Sequence, residues 1–256
     1  MRWNCRQSSG AAVLALSLFV ACNTAKFGGN NEKRQVNPPP VQAAPTQLKP
    51  TVVSTPRDCS KDYEVPATAN PYLAGAAPGA ALNYTLNSSD PQSPTDRVPG
   101  EAPILVTPTD PNCMKPGVIL AFTVSGSITH NQAQNQSNAD GNLDLIVNHQ
   151  LGATNGISDI KAPIDSLVGV FLGNSDPRST VAPSQLDFSS AAARDYQRLE
   201  PKVGQVFFIG KGKTGTGSMR QVVVPVGATR LYFGTMDTYQ WNNNAGGLRG
   251  AIIVLP

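Results

Sequence analysis

The sequence predicts an all-β domain, a β-sandwich of the jelly-roll type, on three observations. Apolar residues come in short runs of strand length, parted by Gly, Pro, Asn and Asp. In the longest run Val118, Leu120, Phe122 and Val124 alternate with Ile119, Ala121 and Thr123, the two-residue period of a strand. The 23 glycines and 22 prolines make turns frequent, which favours many short strands over long helices.

The chain begins with a basic segment containing Arg2 and Arg6, then an apolar run from Ala11 to Ala21. That run is too short to cross a bilayer as a helix and suits a secretory signal, so residues 1–21 are expected to be removed. The stretch LFVAC is similar to a bacterial lipobox, with Ala21 before the cleavage point, Cys22 as the acylated residue and Phe19 where Leu is usual. It implies a lipid anchor at Cys22, with simple secretion as the alternative. Asn23 is not the aspartate that retains such lipoproteins at the inner membrane, so an outer-membrane destination is implied.

Residues 22–60 are rich in proline, from Pro38 to Pro56, and carry no apolar periodicity. Such a segment buries too little apolar surface to offset its ordering entropy and reads as an extended tether. Cys5 leaves with the signal and Cys22 is the lipid site, so Cys59 and Cys113 remain as a candidate disulfide in an oxidising compartment. Two unpaired thiols are the alternative.

Residues 61–256 form one domain, with no internal repeat or second hydrophobic set. Its strand candidates are Gly117 to Thr129, Ser166 to Gly173, Gly204 to Gly210, Arg220 to Gly234 and Leu248 to Pro256. A short helical turn is expected between Ser189 and Leu199.

Several chemistries lack support. Losing Arg2 and Arg6 takes the formal charge from +3 to +1, and no block of like charge remains, so nucleic-acid binding has no electrostatic basis. There is no G-x-S-x-G elbow, and His130 and His149 are the only histidines. Glu32, Glu64, Glu101 and Glu200 show no spacing that marks a carboxylate pair, although glycosidase pairs meet only in three dimensions. GKGKTGTGS, Gly210 to Ser218, invites a phosphate-loop reading, but Phe207 stands where that motif needs glycine and no helix follows. A hairpin loop is expected there, and no catalytic residue is assigned: the chain reads as a non-enzyme.

MDTYQWNNNAGG, Met236 to Gly247, is a loop rich in side-chain oxygens. Asp237, Asn243 and Asn244 suit a hard cation such as Ca²⁺, which takes six to eight oxygen ligands. By spacing alone, a turn whose asparagines cap their own backbone explains it equally well.

VGATRLYFGTMDTYQWNNNAGG resembles the closing segment of the calcium-dependent galactophilic lectins of the PA-I type, whose last loop runs from an aspartate to a paired Asn-Asn. The similarity extends back through QLDFSS, GQVFFIGKGKTGTGS and LVGVFLG to VPATANPYLAG, covering residues 62 to 256. It implies a galactose-binding-domain-like sandwich that holds Ca²⁺ through the Asp237 carboxylate and the Asn243 and Asn244 side-chain carbonyls. A backbone carbonyl of Trp241 or Gln240, in a loop one residue shorter than the lectin's, and that of His130, where the family has tyrosine, would complete the set. Galactosides would then bind through the ion, with Asp237 and Asn243 bonding the same hydroxyls and Tyr239 or Trp241 forming an apolar wall.

The lectin's second sugar loop has no residue-for-residue match in NQAQNQSNADGNLD. Asn138, Asp140, Asn142 and Asp144 there fit a sugar pocket, another ion or a solvated turn, and His149 is expected to be structural or exposed rather than a ligand. The competing reading is an envelope module that keeps calcium for rigidity and binds no sugar.

Overall fold

The computed structural model describes residues 59–85, 94–132 and 136–256; the signal segment, Cys22 and the proline-rich stretch up to Asp58 lie outside them. The described chain is all-β. In order it forms β1 (Lys61–Pro66), β2 (Ala81–Asn83), β3 (Thr95–Arg97), β4 (Ile104–Leu105), β5 (Ile119–Thr129), β6 (Asn142–Val147), β7 (Ile160–Ile164) and β8 (Leu167–Leu172). Then come β9 (Leu186–Asp187), α1 (Ala191–Arg194), β10 (Arg198–Leu199), β11 (Val206–Phe208), β12 (Gln221–Val223), β13 (Arg230–Thr235) and β14 (Ala245–Leu255). The helix α1 is a single turn, capped where the Ser190 hydroxyl accepts from the Ala193 amide.

Two sheets dominate. One runs β1-β14-β5-β12-β10 and the other β11-β8-β13-β4, with smaller groups β2-β3 and β6-β7-β9 beside them. The pairs β10–β12 and β7–β9 are parallel and the other pairs antiparallel. The large sheets share a core in which Leu120, Phe122 and Ile252 of the first meet Phe171, Leu231 and Phe233 of the second. Phe122 and Tyr63 both set ring edges against Phe233, at centroid separations of 5.3 and 4.9 Å.

Within the second sheet, β8 is buried on both faces. Leu167 and Phe171 of β8 point into the shared core, while Val168, Val170 and Leu172 join a second cluster with Tyr72, Ile157 and Trp241. A strand covered on both sides has no solvent face to keep polar, which is why LVGVFL is a continuous apolar run rather than an alternating one.

The apolar stretch from Arg220 to Gly234 divides into two strands that lie in different sheets. Pro225 has no N–H for a ladder, the Ala228 amide turns back onto its carbonyl, and Gly227 takes the left-handed conformation at φ 87°. Cys59 and Cys113 form a disulfide with Cα atoms 5.6 Å apart, tying the entrance of β1 to the turn before β5.

The register of β5 on β14 positions the site. Ile119 faces Leu255 at one end of this eleven-residue pair and Thr129 faces Ala245 at the other. His130, leaving β5, therefore lies beside Asn244, entering β14.

Candidate functional site

Asp237 lies two residues beyond β13, and the chain then reaches Asn244 through a tight loop. Gln240 adopts the left-handed conformation at φ 67°, which turns the backbone into a 3₁₀ turn over Trp241–Asn243. The turn at His130–Gln132 faces this loop, with Asn131 also left-handed at φ 52°. Between them is a cleft of about 200 Å³ lined by Asp237, Tyr239, Gln240 and Asn243 from the loop and by His130 and Asn131 from the facing turn.

Asp237 is the electrostatic centre of the cleft. It is 5% exposed, and burial pushes its carboxyl up to about 6, against hydrogen bonds from the Asn244 side chain and the Thr238 amide that favour the charged form. The nearby His130 also favours that charge and Asp165 opposes it. Among the described residues no lysine or arginine pairs with Asp237. A buried carboxylate with only neutral donors and one histidine near it is destabilised as an anion, and a cation in the cleft would relieve that cost. A carboxylate, amide oxygens and backbone carbonyls are also the ligand types a hard divalent ion takes, so the residues present fit Ca²⁺.

The loop brings most of the expected residues together. Asp237, Asn243, His130, Gln240 and Tyr239 line the cleft, and Asn244 bonds Asp237 from the side. The Asn244 amide is already engaged: Oδ1 accepts from the Asn131 amide at 3.3 Å and Nδ2 donates to the Ala67 carbonyl at 3.3 Å. An amide oxygen has two lone pairs, so Oδ1 keeps one for an ion. Of the two candidate backbone donors, Gln240 lines the cleft and Trp241 does not.

Trp241 is a correction. Its ring is fully buried, packed among Tyr72, Tyr84 and His149, and its indole N–H donates to the Thr235 carbonyl at 2.9 Å. It offers no wall to a sugar. The loop looks polar in sequence, yet the 3₁₀ turn swings this one side chain inward under the turn. Tyr239, half-buried in the cleft lining, is the aromatic left for that role.

The structure adds two carboxylates that local sequence patterns did not single out. Asp165, 2% exposed, sits at φ 67° in the turn between β7 and β8; its amide donates to the Met236 carbonyl, which places it beside Asp237. Its carboxylate receives the His130 ring Nδ1 at 3.0 Å and the Ser137 hydroxyl at 3.0 Å, fixing the turn across the cleft. Asp96, fully buried on β3, accepts from the Trp241 and Asn242 amides at 3.2 and 3.3 Å and holds the 3₁₀ turn from behind. For Asp165 the only local signal was a charged residue beside an apolar run, which turn residues also give, and Asp96, within SPTDRVPG, gave none.

The remaining candidates are resolved by their contacts. Asn138 and Asn142 accept from the amides of Asp140 and Asp144, so the segment caps its own turns, and Asp140 pairs with Lys211 at 3.0 Å. His149 is 3% exposed and stacked on Tyr72 at 3.7 Å. Its Nδ1 donates to the Gly152 carbonyl and its Nε2 faces the Tyr84 hydroxyl, and burial lowers its pKa to about 4, so it is neutral at pH 7. Cys59, Asp110 and Cys113 are close enough to suggest a metal cluster, but the disulfide leaves no thiolate to ligate one. No family model, curated protein or solved structure matches the chain.

Proposed function

We propose that this chain is a calcium-dependent, galactoside-type carbohydrate-binding protein, carried by a lipid anchor at Cys22 to the outer membrane and built on a jelly-roll, galactose-binding-domain-like sandwich. One observation carries the reading: Asp237 is buried at the wall of a cleft shared with Asn243, Gln240 and His130, and among the described residues no lysine or arginine pairs with its charge. Asp237, Asn243, Asn244 and the backbone carbonyls of His130 and Gln240 would hold the ion. When bound, Ca²⁺ supplies coordination positions beyond these ligands, where two vicinal sugar hydroxyls can replace water. The Asp237 carboxylate accepts from these hydroxyls and the Asn243 side-chain NH₂ donates to them, and Tyr239 packs against the C–H face of the ring. The protein breaks no bond.

The second reading is an envelope module that keeps the ion for rigidity alone. It is favoured by the self-capped turns at Asn138 and Asn142, which leave no evident second loop for a sugar's outer hydroxyl.

Thermal unfolding with and without Ca²⁺ and galactose separates the two. A lectin shows a rise in Tm with Ca²⁺ and a further rise with galactose only when Ca²⁺ is present, and a structural module shows the first rise alone. Asp237→Ala abolishes both rises; a variant that still responds to Ca²⁺ and galactose as the parent does overturns the site.

A further inference from the structure

The loop Gly210–Ser218 fails as a phosphate-binding motif in sequence, and its backbone shows why. Most of its amides are spent: Lys211 N–H donates to Asp140 Oδ1, Gly212 N–H to the Ile209 carbonyl, Thr214 N–H to the Ser218 carbonyl and Gly215 N–H to Asp195 Oδ1. An anion beside this loop would be held chiefly by side chains.

Those side chains are present. Beside the loop is a cavity of about 400 Å³, within the size range of small-ligand pockets, lined by Arg194, Lys211, Lys213 and Arg220 against only Asp140 and Asp195. Asp140 serves two of the cations, Lys211 at 3.0 Å and Arg220 at 3.6 Å, while Arg194 donates to the Phe188 and Ser189 carbonyls. Lys213 is exposed and has no ion pair among the described residues.

Arg220 is the decisive residue. It is 5% exposed, lies over the rings of Phe208 and Tyr196 at 5.0 and 5.6 Å, and donates through Nη1 to the Ile209 carbonyl. Its Nε is buried with no partner. Buried guanidinium groups are normally saturated with acceptors, so an arginine with one N–H unpaired adds to the two surplus positive charges of the wall and the cavity favours an anionic ligand. Leu143 and Phe208 line the same cavity and give it an apolar side.

We propose that this cavity is a second binding site, for a small organic anion: a carboxylate or phosphate group carried on an apolar, ring-sized body. It uses none of the residues of the Asp237 cleft and stands or falls separately from it.

The test is titration calorimetry on the full chain with benzoate, phenyl phosphate, neutral benzyl alcohol and inorganic phosphate. The expected result is saturable binding of benzoate or phenyl phosphate and binding about tenfold or more weaker for benzyl alcohol, the cost of one lost charge-assisted contact. Lys213→Ala, at an exposed position, weakens the anion about tenfold, and Lys115→Ala, at an exposed position outside the cavity lining, leaves it unchanged. No saturable binding of either organic anion overturns the site, as does equal binding of the alcohol or equal loss in both lysine variants. Inorganic phosphate binding as tightly as phenyl phosphate overturns the organic body.

Discussion

Two aromatic residues of one loop differ in exposure, and that difference is testable. Tyr239 lines the cleft while Trp241, two residues on, is fully buried with its N–H bonded to Thr235. Tyr239→Ala is therefore expected to weaken galactoside binding about tenfold, the contribution of one aromatic contact, and to leave calcium affinity unchanged. Parallel calorimetry with each ligand checks this, and an equal loss of both would place Tyr239 in the ion's support instead. Asp96 makes the converse case, because its carboxylate holds the loop through the Trp241 and Asn242 amides and is itself held by the Asn70 side chain. Asp96→Asn keeps the shape but sets an NH₂ group where acceptors are needed. A loss of about 1–3 kcal/mol in urea unfolding is expected, the usual cost of an unsatisfied buried group. Calcium affinity should fall with it, since the turn carrying Asn243 loses its anchor.

At the scale of elements, the pairing of β5 with β14 carries the site, and Gly250 is its narrowest point. A Cβ there would overlap the Thr123 carbonyl oxygen, onto which the Tyr63 hydroxyl donates from the other neighbouring strand. Gly250→Ala should cost about 1–3 kcal/mol as an overpacking change, read from the shift of the denaturation midpoint at constant slope. The same strands show what could be read in advance. β5, β8, β11, β13 and β14 were legible because each carries several apolar residues close together, which burial on both faces explains for β8 and β11. The two-residue strands β4, β9 and β10 were not, since their pairing is decided by distant partners such as Tyr232, Ile160 and Val222. In the site, the cluster of Asp237, Asn243 and Asn244 was visible because local spacing placed it. Asp165 and Asp96 were invisible because contacts across the fold, with Met236 and with the Trp241 amide, bring them there. Trp241 was misassigned for the same reason: its burial depends on Tyr72 and Tyr84, more than 150 positions away.

For the whole molecule, the loop sits on a buried network assembled from remote segments, and pH gives access to it. Asn70 donates to Tyr84 and to Asp96, Tyr84 contacts His149, and His149 stacks on Tyr72, so the Asp96 anchor of the loop is continuous with His149. The disulfide closes part of this same region, and its 54-residue span contributes about 4 kcal/mol by loop entropy; Cys59→Ser with Cys113→Ser should lose most of that in urea unfolding. His149 adds a dependence of definite sign. Its pKa is about 4 when folded and 6.5 when free, so between these values the unfolded chain binds the extra proton. Stability is complete above pH 6.5 and is lost as pH falls towards 4, by on the order of 3 kcal/mol. Asp237 acts in the opposite direction, its folded value raised to about 6, so without calcium it offsets part of the loss. Comparing the chain with His149→Gln removes that offset, because Asp237 is common to both. The variant should be less stable at pH 7 and show the flatter profile below pH 6.5. Parallel curves from pH 7 to 4 would mean that His149 takes up its proton in the folded state, and the network behind the loop would then not depend on a neutral ring.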